Sequence, residues 1–269
     1  MIKYLDLRKK NYIDRKKIGG HQQTLFDIDT WSQNPYSCFK ARIYIELSSI
    51  FAFFLQFTKF TPNHISLFYC LSGIIAGVFL ISNNSILMVI GLIIFVLKGS
   101  LDWTDGLIAR MKNITSSVGH VLDTWGSHIG SLSFVSSIGI YCYNLTNDNN
   151  YLFLTILFLF LKLIDFKLFA FQQLFYEYLN KNINFDSKKV ENEKDFQKPK
   201  NFLVLFLKNF MDERARTVDA VCFLIFLEIF YNLDYFSKVI FGLFLIKAII
   251  VFFGTFYIYY FKKKLENSI

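Results

Sequence analysis

The chain has 269 residues, 54% hydrophobic and 19% charged, below the ~25% charged that soluble domains average. Its apolar residues come in blocks of about twenty, long enough to cross a bilayer. A soluble globular domain is thereby excluded, and an all-α, polytopic membrane protein is expected. The net charge of +8 does not argue for nucleic acid, because the basic residues flank the apolar blocks on one side of the expected membrane. Cys38, Cys70, Cys142 and Cys222 lie far apart, with no CxxC and no metal spacing, and read as isolated reduced thiols.

Residues 1–35 are polar and basic, lack the apolar core of a signal peptide, and are expected to form a cytoplasmic tail with little regular structure. Residues 36–60 carry Lys40, Arg42, Glu46 and Gln56 among apolar residues, a pattern for an amphipathic helix in the interface. "TPN" at 61–63 breaks the chain, with Thr61 as a helix cap and Pro62 at the first helical position. Six spans are expected after it, at about 63–82, 85–111, 119–143, 150–179, 217–233 and 236–261. A Lys-rich loop occupies roughly 180–200, and "NFLVLFLKNF" reads as a further interfacial helix. Residues 36–261 thus form the membrane domain and 262–269 a cytoplasmic C-terminal tail. The connections at 82–85, 144–150 and 232–235 contain no Lys or Arg. The positive-inside rule therefore puts both termini and the opposite loops in the cytoplasm.

"LDWTDGLIARMKNITSSVGHVLDTWGSH", residues 101–128, places carboxylates inside this apolar setting. Asp102 and Asp105 are one turn apart on one helix face. Gly106 and Ala109 keep that face small, and Arg110 at the cytoplasmic mouth suits a phosphate. Asp123 lies early in the following span, with Ser127 one turn beyond it on the same face. Two antiparallel helices would bring the three carboxylates together, and a divalent cation, Mg²⁺ above all, would offset their repulsion.

The pattern Asp102-x2-Asp105-Gly106-x2-Ala109-Arg110-x8-Gly119-x3-Asp123 resembles the signature of the CDP-alcohol phosphatidyltransferase family. "FTPNHISLFYCLSG", with Asn63 and Gly73, resembles the start of that family's first helix. The likeness extends over roughly residues 40–260 and implies a six-span membrane enzyme, dimeric, dependent on Mg²⁺ or Mn²⁺. It implies that a CDP-linked donor binds between helices on the cytoplasmic side, and that an alcohol attacks its phosphorus and displaces CMP. One of donor and acceptor would be a lipid. By the same resemblance Asp102, Asp105 and Asp123 are metal ligands, Gly106, Ala109, Arg110 and Gly119 face the cytidine and phosphates, and Asn63 assists. A bacterial inner membrane is the expected location, and nucleic acid is not an expected partner.

The family pattern continues to a further aspartate, assigned as general base, and here that position is Ser127. A hydroxyl cannot take up a proton at neutral pH as a carboxylate can. Three readings stay open: another base serves, with His128 adjacent and His120 one turn before Asp123; the acceptor needs little base assistance; or the chain binds a CDP-linked lipid without transferring from it. A transporter is the weaker class, because the key acids cluster at one level. Among other internal charges, Lys98 reads as neutralising the aspartates or touching a phosphate, Lys162 and Asp165 near Lys167 as a mutual pair or an acceptor pocket, and Lys247 as a pair with Glu228. Arg214, Arg216 and Asp219 read either as a positive flank or as a headgroup site.

Overall fold

The computed structural model describes residues 3–17, 35–114, 117–164 and 215–266, and among these every regular element is a helix. The 180–200 loop, residues 201–210, Asp165, Lys167 and Arg214 lie outside the described residues, as do the side chains of His120 and Arg216.

The first helix, α1 (Tyr4–Lys17), corrects the expectation of a tail with little structure. Its only fully buried apolar side chain is Leu7, which packs with Ala52, Ile65, Leu107 and Ile108. Polar contacts to α2 (Pro35–Leu55) supply the rest. The buried Asn11 amide donates to Ile45 O at 3.3 Å and to the Ser48 and Ser49 hydroxyls at 3.0 Å each. Glu46 accepts from Arg8 Nε at 2.7 Å and from the Tyr12 phenol at 2.9 Å. A short polar helix is marginal in isolation, so these tertiary contacts hold it, and nothing in the composition of residues 4–17 announces them.

Among the described residues, three helical runs are long and apolar enough to cross a membrane. They are α3 (Pro62–Leu80), the joined α4 (Ser85–Leu97) and α5 (Gly99–Lys112), and residues Phe236–Gly254 of α9 (Phe236–Glu266). The 30-residue α6 (Ser117–Thr146) and the 17-residue α8 (Ala215–Tyr231) coincide with the third and fifth expected spans. The expected fourth span begins as the apolar α7 (Asn149–Leu163) and then leaves the described residues. With the apolar runs, this is an integral membrane protein.

Pro62 opens α3, and the Thr61 N–H donates to His64 Nδ1 at 3.2 Å. α3 packs tightly on α6 through small residues, as close helix crossings in lipid require. A Cβ on Gly73 would sit 3.1 Å from the Gly130 Cα, and Ser133 Oγ donates to Gly73 O at 2.8 Å. Beyond this crossing the main core gathers Phe95, Phe134, Phe158, Phe241 and Phe244, with the Phe95 and Phe134 rings 4.9 Å apart. Glu228 does not form the expected pair with Lys247. Its two oxygens accept from the backbone N–H and hydroxyl of Ser237 at 2.7 Å each, tying α8 to the start of α9. Lys247 is ten residues further along that helix, about 15 Å at 1.5 Å per residue.

Candidate metal and nucleotide site

α4 and α5 form one nearly continuous helix, with Lys98 at the joint and Leu101 N–H closing a short bond to Lys98 O at 2.9 Å. On α5, Leu107 and Ile108 are fully buried against Leu7, Ala52 and Ile65. The buried Thr104 hydroxyl donates to Ser100 O at 2.7 Å. This anchoring turns Asp102 and Asp105 toward α6, where Asp123 lies. The helix ends at Asn113, which takes a left-handed φ of 53°.

The three expected ligands do converge: one oxygen from each of Asp102, Asp105 and Asp123 lies within 4.8 Å of the others. All three residues are half-buried. Three like charges this close in a partly desolvated site call for a cation. The donor set is all carboxylate oxygen, which fits Mg²⁺ or Mn²⁺ and not a soft metal. Ser66 on α3 donates to Asp105 Oδ2 at 2.6 Å and fixes that carboxylate's orientation. Spacing did not reveal Ser66; it reaches the site because α3 crosses beside α5.

Cationic groups border the carboxylates. Arg110 lies along Gly106, where a Cβ would come 3.3 Å from its Nη1. Its Nε is 3.5 Å from Asp14 Oδ2 on α1, and Nε and Nη2 are buried without a hydrogen-bond partner. Arg15, the next residue of α1, is 7% exposed. Its Nη2 donates to Trp103 O at 3.2 Å, and its guanidinium carbon sits 4.1 Å from the Trp103 ring centroid. Burial pulls the Arg15 pKa down to about 10, the charge of Arg110 adds to this, and Asp102, Asp105 and Asp14 oppose it. Arg15 is therefore still a cation at neutral pH. Sequence reasoning missed both Asp14 and Arg15, because the tail carries no motif.

A polar cavity of about 260 Å³ opens beside Asp102, lined by Lys40, Tyr44, Tyr69, Lys98, Trp103 and Ser127 among others. Ser127 thus faces the same space as Asp102. His128 is half-buried and does not line this cavity. The Lys98 ammonium lies 4.7 Å from the Tyr69 ring centroid, at the level of the Gly73–Gly130 crossing. Lys40 on α2 pairs with Asp219, which also accepts from the Tyr36 phenol. Asp219 is therefore committed to α2. Asn63 is half-buried at the start of α3, three residues before Ser66. Ala109 on α5 and Gly119 on α6 are half-buried as well. Lys162 stands 5.7 Å over the Phe158 ring.

The profile of the CDP-alcohol phosphatidyltransferase family matches residues 59–207, more than half of the chain. No curated protein is a significant match.

Proposed function

Because the chain belongs to the CDP-alcohol phosphatidyltransferase family, we propose that it transfers a substituted phosphate group from a CDP-linked donor to an alcohol acceptor, releasing CMP, in lipid biosynthesis. The observation that carries this is the convergence of Asp102, Asp105 and Asp123 within 4.8 Å beside Arg110. Those carboxylates would hold Mg²⁺ or Mn²⁺, which would supply neutralisation of charge on the diphosphate and on the leaving CMP. Arg110 grips a phosphate, and Gly106 leaves room for its guanidinium. Ala109, Gly119 and Asn63 face the nucleotide. The site opens to the cytoplasm of a bacterial inner membrane, on a six-span protomer of a homodimer.

The acceptor hydroxyl enters the 260 Å³ cavity beside Asp102. Its oxygen forms a bond to the donor-side phosphorus as the bond from that phosphorus to the CMP oxygen breaks. The acceptor proton leaves through the cavity toward solvent, because His128, the expected base, does not line it. An apolar groove of about 450 Å³ between α2, α4 and α8 shares Lys40 and Tyr44 with this cavity, which supports a lipid as one of the two substrates.

A second reading, donor binding without turnover, is favoured by one observation. The cavity presents the Ser127 hydroxyl where proton uptake is needed, and His128 does not line it. Purified protein with Mn²⁺ and a panel of CDP-donors and alcohols, scored for CMP release, separates the two. The transferase reading expects release that Asp105→Asn abolishes. The binding reading expects donor affinity without release, and release appearing in Ser127→Asp. Absence of both binding and release refutes both readings.

A further inference from the structure

We propose that Arg15 of α1 is a diphosphate-binding residue that joins Arg110 in holding the CDP-linked donor. The inference rests on the donor-binding reading above. It adds a residue that precedes the family-matched segment, which begins at residue 59.

Three observations support it. First, Arg15 is held in place. Leu7 is fully buried, Asn11 makes three hydrogen bonds to α2, and Arg8 and Tyr12 grip Glu46. Second, Arg15 is aimed at the site. It packs on the ring and carbonyl of Trp103, the residue following Asp102, and feels the charges of Asp102 and Asp105. Third, the arrangement is poised for an anion. Arg15 and Arg110 repel one another, and Arg110 carries a buried Nε and Nη2 with no hydrogen-bond partner. Two guanidinium groups that repel one another in a partly desolvated place are unfavourable alone and favourable around a phosphate pair. The charge balance points the same way. One divalent cation with Arg110 and Lys98 does not neutralise three carboxylates and a diphosphate, and a further guanidinium reduces that excess.

The test uses the full chain in nanodiscs with Mn²⁺, measuring affinity for CDP and for CMP by calorimetry. Arg15→Gln is expected to weaken CDP binding by about 10- to 100-fold, the range for charge-assisted hydrogen bonds, with a smaller loss for CMP. Arg15→Lys, which keeps the charge but loses the planar fork, falls between, and it carries the test if Arg15→Gln does not yield monodisperse protein. Manganese affinity without nucleotide, read by electron paramagnetic resonance, isolates the structural alternative. If Arg15 only balances the aspartates, the substitution tightens Mn²⁺ binding and leaves the CDP-to-CMP affinity ratio unchanged, which overturns the proposal. Wild type that binds CDP, with both variants binding it equally, overturns the role of Arg15 while the donor reading stands. Wild type that binds neither nucleotide removes both.

Discussion

Ser66→Ala isolates the orientation of one carboxylate from its presence. The Ser66 hydroxyl donates to Asp105 Oδ2 at 2.6 Å, and the residue is 3% exposed. Removing one oxygen opens almost no cavity, and the helix keeps its backbone bonds. A hydrogen bond to a charged group is worth about 1.5–3 kcal/mol. Losing the group that orients a metal ligand typically weakens metal binding by about 10- to 100-fold, or about 1.4–2.8 kcal/mol, so the two magnitudes agree. Manganese titration by electron paramagnetic resonance on the purified variant is expected to show that loss, with a melting temperature close to wild type. Asp105→Asn serves as the reference for full loss of a ligand. Unchanged or tighter Mn²⁺ binding in Ser66→Ala, alongside clear loss in Asp105→Asn, would refute an orienting role.

Gly106→Ala places a Cβ 3.3 Å from the Arg110 guanidinium, a flexible group that can move aside. Thermal stability is expected to hold while CDP affinity drops several-fold by calorimetry. Gly73→Ala and Gly130→Ala should differ. The first meets the Gly130 backbone at 3.1 Å and is expected to cost about 1–3 kcal/mol of overpacking, seen as a lower melting temperature. The second meets only the Lys98 ammonium end, so the fold should survive with Lys98 displaced from the cavity. The Glu46 carboxyl is held below its ordinary range chiefly by its hydrogen bonds from Arg8, against the cost of burial. A depressed carboxylate pKa contributes stability above the unfolded value of about 4.3, and that contribution fades as pH falls through the folded value. Hydrogen exchange of residues 4–17 should therefore accelerate, after correction for intrinsic rates, as pH falls below about 4.3. Glu46→Gln should remove that step.

The carboxylate site was legible because its ligands are encoded by local spacing. Asp102 and Asp105 share a helix face by their i, i+3 spacing, and a short connection returns Asp123 to the same level. Cost made them conspicuous: acids in an apolar run demand a reason. Ser66 has no such signature. Serine occurs throughout membrane helices, and only the crossing of α3 with α5 gives this one a carboxylate partner. The pairing of Lys247 with Glu228 failed for a related reason. Opposite charges on neighbouring spans suggested each other, yet Glu228 found a nearer partner in the free backbone N–H and hydroxyl of Ser237. Asp219 likewise reaches sideways to Lys40 and Tyr36 on α2, a contact between segments 179 residues apart.

The N-terminal helix is where the sequence misled most, and the reason bears on the site itself. A membrane span announces itself by apolar length, whereas α1 is placed by one buried leucine and a set of polar side chains. Each polar contact needs a specific partner on α2, so the segment looks like solvated tail until that partner is known. The same chemistry holds it with fewer buried apolar side chains than the α3–α6 crossing uses. The Arg8–Glu46 pair is partly exposed, with 43% and 33% of the two side chains accessible, and such pairs contribute about 0–1 kcal/mol. Leu7 and Asn11 carry most of the remainder. The aspartates sit on membrane helices, while Asp14, 3.5 Å from Arg110, and Arg15 ride on a helix docked mainly by polar contacts. Ligand affinity at the cationic rim should accordingly respond to substitutions in α1 that leave the membrane helices, and the carboxylate geometry, untouched.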